Sequence, residues 1–116
     1  MLDAEIAEAL RSGRPKQEFQ VAFSLRDDLF AGHRERAAAE QEAAWTRLRQ
    51  EIERATERFS ADGLRRVRPR RARKAWPPVV YIAPTDTWRR FFEANPGLLA
   101  EPALETRRHY PHFLDD

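Results

Sequence analysis

The chain has 116 residues, of which 34% are charged, and its formal net charge is only +2 at pH 7. This length suits one domain, and the absence of cysteine excludes disulfides, thiolate metal sites and cysteine nucleophiles. No apolar run approaches the roughly 18 residues of a membrane span, and acidic residues follow Met1 where a signal peptide would carry basic ones. We therefore expect a soluble, cytoplasmic protein.

The charge is distributed unevenly along the chain. Residues 65–74, here called the basic segment, contain seven Lys or Arg and no Asp or Glu. Subtracting these seven charges from +2 leaves −5 on the other 106 residues. Such a pattern predicts an acidic body that carries one basic contact region.

Two short elements are predicted at the start of the chain. Residues 2–11 place apolar side chains at steps of four, which is typical of an amphipathic helix, and Gly13 with Pro15 ends it. Residues 18–24 then alternate apolar and polar side chains, with aromatic and β-branched residues on one face. This pattern predicts a half-buried strand.

The longest predicted element follows. Residues 24–27 have the form of a capping box, and roughly 36 residues then run without proline until a turn at 60–63. Its apolar residues recur at steps of three and four and form one stripe: Trp45, Leu48, Ile52, Ala55 and Phe59. The stripe packs either on the chain's own sheet or on a helix from a second copy. In the second case Trp45, Leu48, Ile52 and Phe59 are the protein interface.

Beyond this helix, residues 65–77 are predicted to form a basic, proline-bearing extended loop. Residues 78–83 are almost continuously apolar, which indicates a strand buried on both faces. A short helix with Trp88 on its apolar side follows, and a turn at 95–97 ends it. Residues 103–116 show no clear period and are predicted to be an irregular C-terminal tail.

These elements predict an α+β fold, with residues 1–116 as a single small domain. One long amphipathic helix is flanked by two short strands and by short terminal helices. Because two strands alone make a poor sheet, either a third strand lies around residues 64–68 or a partner chain completes the sheet, which favours a dimer. If the two strands are parallel neighbours, the long helix is their crossover connection.

Catalytic patterns are missing from the sequence. The four glycines are isolated, which excludes a phosphate-binding loop, and Asp27 with Asp28 suits a helix start better than a catalytic pair. The best metal candidate is the run from His109 to His112 with Asp115 and Asp116 behind it, but Pro111 prevents a regular helix that would hold both imidazole rings on one face. We predict no enzyme activity, no catalytic or metal-binding residue, no cofactor and no small-molecule substrate.

The basic segment carries the functional prediction. Its cations suit the phosphate backbone of DNA or RNA, and the tryptophan behind them suits base stacking. The predicted nucleic-acid-binding residues are Arg65, Arg66, Arg68, Arg70, Arg71, Arg73, Lys74 and Trp76. The arginine pairs at 89–90 and 107–108 extend this surface if the fold brings them near. The sequence thus predicts a non-enzymatic accessory protein of a larger nucleoprotein complex, with binding that is largely independent of base sequence.

A second hypothesis is a protein-binding regulator or adaptor, for example a phage or mobile-element inhibitor. Here the basic segment contacts an acidic protein and an aromatic surface supplies further contacts. That surface consists of Trp45, Trp88, Phe91, Phe92, Tyr110 and Phe113.

Overall fold

The structure is a computed structural model that describes residues 2–26, 34–68 and 78–110. Its helices are α1 (Ala4–Ser12), α2 (Arg34–Glu57), α3 (Thr85–Ala94) and α4 (Pro96–Ala100), with one 3₁₀ turn at Ser60–Asp62. Its strands are β1 (Glu18–Leu25), β2 (Arg65–Val67), β3 (Val79–Pro84) and β4 (Leu104–His109). The described residues thus form a small compact α+β domain with a four-stranded sheet.

The sheet has the strand order β2-β3-β1-β4, and every neighbouring pair is antiparallel. The condition considered from the sequence, that the two predicted strands are parallel neighbours, is therefore not met. The reason is the intervening strand: α2 leads into β2 at the sheet edge, and the chain then returns into the sheet as β3. From β1 onward this connectivity is that of the split βαβ, ferredoxin-like topology, and connectivity alone carries no function.

Two strands complete the sheet without a second chain. β2 lies where the third-strand alternative places it, and four strands are a usual size for a sheet. The expectation of an irregular tail over 103–116 is wrong for Leu104–His109, which pair with β1 as β4. Residues 111–116 lie outside the described residues. The need for a partner strand, which motivated the dimer prediction, is therefore removed.

The predicted start of the long helix also needs correction. Ser24 and Leu25 belong to β1, where they pair with Glu105 and Leu104. Leu25 continues the alternation of buried side chains along this strand, and its burial outweighs the capping-box pattern. Within the described residues, α2 begins at Arg34. The predicted capping residues Asp27 and Asp28 lie outside the described residues.

One face of the sheet carries the core. The buried side chains of β1 alternate and pack against residues from the helices. The indole of Trp88 on α3 is fully buried, and its Nε1 donates a hydrogen bond to the Phe19 carbonyl oxygen at 3.0 Å. The rings of Phe23 and Phe91 lie 6.3 and 5.4 Å from the Trp88 ring. All four helices contribute to this cluster, so the helices cover the same face of the sheet.

Candidate functional site

The structure describes the first part of the basic segment. Arg65 and Arg66 are in β2 and not in the extended loop predicted for 65–77, because they pair with Ile82 and Tyr81 of β3. Arg68 follows the strand and is exposed. Residues 69–77 lie outside the described residues, and they include these predicted binding residues: Arg70, Arg71, Arg73, Lys74 and Trp76.

Two arginines of the basic segment have carboxylate neighbours. Arg65 Nη1 donates a hydrogen bond to Glu18 Oε2 at 2.9 Å. Arg66 Nη1 lies 4.0 Å from Glu53 Oε1 on α2. Among the described residues, no carboxylate lies within 4 Å of the Arg68 guanidinium. Carboxylates thus compensate the positive charge of Arg65 and Arg66 on β2. Within the described residues, none compensates the charge of Arg68.

Arginines elsewhere on the described surface also form ion pairs. The pairs are Arg11 with Glu8, Arg47 with Glu51 and Glu101, Arg89 with Asp86, Arg90 with Asp62, and Arg107 with Glu105. Exposed pairs of this kind contribute little to the stability of a fold, because water screens their charges. Their main consequence here is that they compensate positive charge locally across the body.

The arginine pairs at 89–90 and 107–108, which the sequence offered as an extension of the basic surface, lie in other surroundings. β4, which carries Arg107 and Arg108, is the sheet edge opposite β2, with two strands between them. The Arg89 guanidinium donates hydrogen bonds to the carbonyl oxygens of Leu10 at 2.6 Å and Gly13 at 3.3 Å, and so binds the end of α1. The fold therefore does not bring Arg107 and Arg108 near Arg65 and Arg66 on β2, and residues 69–77 of the basic segment lie outside the described residues.

The opposite face of the sheet has no stacking platform. The registers place Gln20, Ala22 and Ser24 of β1 beside Val80 and Ile82 of β3 on this face. Among the described residues of the four strands, none of those on this face is Phe, Tyr or Trp. Sheets that bind single-stranded RNA stack bases on aromatic residues of the central strands. The described sheet does not offer that mode of base recognition.

The proposed protein interface on α2 is buried within the chain. Trp45, Leu48 and Ile52 are at most 3% exposed and belong to the core. Phe59 is partly buried, and its ring lies 5.7 Å from that of Phe91. These burials fit the alternative in which the stripe packs on the chain's own sheet, and they leave Trp45, Leu48 and Ile52 with almost no exposed surface.

Most of the predicted aromatic surface is likewise buried. Four of its six members lie in the core: Trp45, Trp88, Phe91 and Phe92. Phe113 lies outside the described residues, and Tyr110 is 47% exposed. The prediction failed because the same apolar spacing marks a core face and a docking face.

His109 lies at the end of β4, whereas His112, Asp115 and Asp116 are outside the described residues. Within residues 2–26, 34–68 and 78–110, no three His, Cys, Asp or Glu side chains are grouped as metal ligands. The same residues contain no helix with the length and apolar character of a membrane span.

Arg108 is the residue whose environment the sequence did not indicate. Its guanidinium carbon lies 5.2 Å from the ring centre of Phe19 and 4.9 Å from that of Tyr110. Its Nε is buried, and no atom of the described residues accepts a hydrogen bond from it. The side chain lines two cavities, an open one of about 580 Å³ and a more enclosed one of about 200 Å³. In the sequence, the one sign that Arg108 points inward is its alternation with Leu104 and Thr106. This sign is informative only if residues 104–109 are known to form a strand.

Two titratable groups near Arg108 are perturbed. The pKa of Tyr110 is raised, chiefly because its hydroxyl donates a hydrogen bond to Glu5 Oε2 at 2.9 Å. The pKa of Glu8 is lowered, first by its hydrogen bond from Arg11 and then by the charge of that guanidinium. Both groups are exposed, so these shifts describe local pairing at the protein surface.

A scan against protein-family models, a search of curated proteins and a search of solved structures each found no match to this chain. The function is therefore argued from the chain's own charges and contacts.

Proposed function

We propose that the chain binds the phosphate backbone of nucleic acid through the basic segment, as a non-enzymatic accessory protein of a larger assembly. The observation that supports this proposal is the contrast in charge. Residues 65–74 carry seven cations and no acid, whereas several arginines of the described body, among them Arg47, Arg90 and Arg107, lie beside carboxylates. Within the basic segment, no Asp or Glu close in the sequence balances the positive charge.

The cations divide into two groups. Arg65 and Arg66 already have Glu18 and Glu53 as neighbours, and β2 fixes their backbone. Nucleic acid would have to compete with these carboxylates. The other five cations supply most of the binding in this proposal: Arg68, Arg70, Arg71, Arg73 and Lys74. Four of the five are arginines, which can bind a phosphate through two parallel hydrogen bonds.

The acidic body orients the interaction. The 106 residues outside the segment carry a formal charge of −5, which repels a phosphate backbone. A nucleic acid therefore approaches with the basic segment in contact and the body turned away. Backbone contacts position a protein but carry no base information. Since the described sheet also lacks a stacking platform, we expect binding that depends little on base sequence.

The test compares two triple variants with the same change in charge. Arg70→Glu, Arg71→Glu and Arg73→Glu remove three cations from the segment, and Arg49→Glu, Arg54→Glu and Arg58→Glu remove three exposed cations from the α2 region. Binding to a labelled generic duplex and to a single strand is measured by fluorescence anisotropy at low salt. The segment variant should bind at least about 10²-fold more weakly, because each lost phosphate contact forfeits the release of counterions.

The control variant should lose far less affinity, and both should keep the wild-type circular dichroism spectrum and melting temperature. Equal losses in the two variants would show that net charge and not the segment governs binding. Unchanged binding of the segment variant would contradict the proposal. A stoichiometric protein partner that survives nuclease treatment in a pull-down from the native host would favour the adaptor hypothesis instead.

A further inference from the structure

Two carboxylates of the described body lie beside the first two cations of the basic segment: Glu18 beside Arg65, and Glu53 beside Arg66. We infer that these carboxylates compete with phosphate groups for the two arginines and thereby limit the affinity of the chain for nucleic acid. The inference rests on the proposed function and concerns its regulation. Glu18 belongs to β1 and Glu53 to α2, so the fold and not the local sequence places both competitors.

The side chain of Arg65 is directed away from the sheet edge. β2 is an edge strand, and Arg65 pairs with Ile82 on the face opposite the helices. Because β3 separates β2 from β1, the Arg65 side chain crosses β3 to donate its hydrogen bond to Glu18 Oε2. The same Nη1 also donates to the Gly63 carbonyl oxygen at 3.4 Å. These acceptors keep the guanidinium over the sheet and not at the outer edge of β2.

Arg66 is directed to the other face of the sheet. It pairs with Tyr81, whose side chain lies in the core, because consecutive side chains of a strand point to opposite faces. There the guanidinium lies beside Glu53, at a distance of 4.0 Å that is too long for a hydrogen bond. Adjacent arginines are thus kept on opposite faces by two different carboxylates, and the pair is not presented together to a phosphate backbone.

The exposure of these side chains makes the pairing reversible. Arg65 and Glu18 are 60% and 39% exposed, and Arg66 and Glu53 are 48% and 49% exposed. Ion pairs this exposed are weak, because water screens their charges. A phosphate that accepts two parallel hydrogen bonds from one guanidinium can displace such a carboxylate. Competition therefore lowers the affinity without abolishing binding, and the hydrogen-bonded Glu18 should compete more strongly than Glu53.

The experiment removes the two competing charges and measures binding to a generic duplex across a salt series by fluorescence anisotropy. Glu18→Gln together with Glu53→Gln keeps the size of both side chains and releases two arginines for phosphate. Each added phosphate contact steepens the salt slope by about 0.9, so the slope should change from about −4.5 in the wild type to about −6.3. The gain in affinity over the wild type should then shrink about tenfold between 50 and 200 mM salt.

A matched double variant controls for the loss of negative charge. Glu51→Gln together with Glu105→Gln also removes two carboxylates that lie beside arginines, and these side chains are 39% and 35% exposed. Their partners, Arg47 and Arg107, are outside the basic segment. The control should raise the affinity by less than about threefold and keep the wild-type slope, because salt screens charges that are remote from the bound phosphates.

A third variant assigns the gain to the released arginines. It adds Arg65→Gln and Arg66→Gln to the first double variant, and its salt slope should return to the wild-type value. Glu18→Gln alone should steepen the slope by about 0.9, which keeps the test valid if a multiple variant does not fold.

The wild-type titration separates failure of this inference from failure of the proposed function. If the wild type binds with its expected slope, an unchanged slope in the Glu18→Gln and Glu53→Gln variants would overturn the inference alone. An equal gain in affinity in the Glu51→Gln, Glu105→Gln control would do the same, since it would make net charge the cause. A wild type that does not bind would contradict both proposals.

Discussion

Tyr110 connects the end of β4 to the beginning of α1. Its hydroxyl donates to Glu5, its ring lies against the Arg108 guanidinium, and the Arg108 backbone amide donates to Asp3 Oδ2 at 3.2 Å. The two hydrogen bonds join residues separated by about a hundred positions in the sequence. Local sequence patterns carry no information on such pairs. The sequence therefore predicted a docking role for Tyr110 and did not predict the contacts of Arg108.

The Tyr110 hydrogen bond predicts a pH effect. The pKa of Tyr110 is raised above the usual tyrosine value of about 10, so this contact stabilises the fold below about pH 10, and its contribution is lost as pH rises through the folded-state pKa. Replacing Glu5 with Ala should lower the Tyr110 pKa towards 10, as followed by NMR titration of the ring carbon bonded to oxygen. Glu8→Ala, on the same helix, should leave the midpoint unchanged. An unchanged midpoint in Glu5→Ala would show that the hydrogen bond does not set the pKa.

Apolar periodicity predicted the elements that bury many apolar side chains. α1, β1, β3 and α3 all lie close to their predicted positions, because each presents a regular apolar face to the core. β4 has the sequence Leu-Glu-Thr-Arg-Arg-His, with a single apolar residue. Its inward positions hold Thr106, which is buried, and Arg108, which stacks on rings. Only pairing with β1 explains this strand, and only pairing with β3 explains the arginine-rich β2.

The stripe on α2 makes a stability prediction. Ile52 is fully buried in the core, so Ile52→Ala should reduce the free energy of unfolding by about 2–5 kcal/mol. Thr46→Ala, at an exposed position of the same helix, should change it by less than about 0.5 kcal/mol. Chemical denaturation at several protein concentrations measures both. If Ile52→Ala changed the free energy of unfolding only slightly, or changed only the oligomeric state, the stripe would instead be an interface between two copies.

The charge of the whole molecule is a balance between an acidic body and one basic segment. The sequence located the seven cations, because their crowding is visible in the order of residues. It did not reveal that Glu18 and Glu53 lie beside Arg65 and Arg66, or that Arg107 and Arg108 lie at the opposite sheet edge. Those facts depend on strand order. They reduce the expected number of phosphate contacts from the full set of cations to about five.

The salt dependence of wild-type binding to a generic duplex tests the central claim most directly. Five phosphate contacts predict a slope of about −4.5 when the logarithm of the binding constant is plotted against that of salt concentration. Affinity should then fall by more than about 10²-fold between 50 and 200 mM salt, with little dependence on base sequence. A slope nearer to zero than to −1, or no binding at low salt, would contradict the proposal that the basic segment binds phosphates.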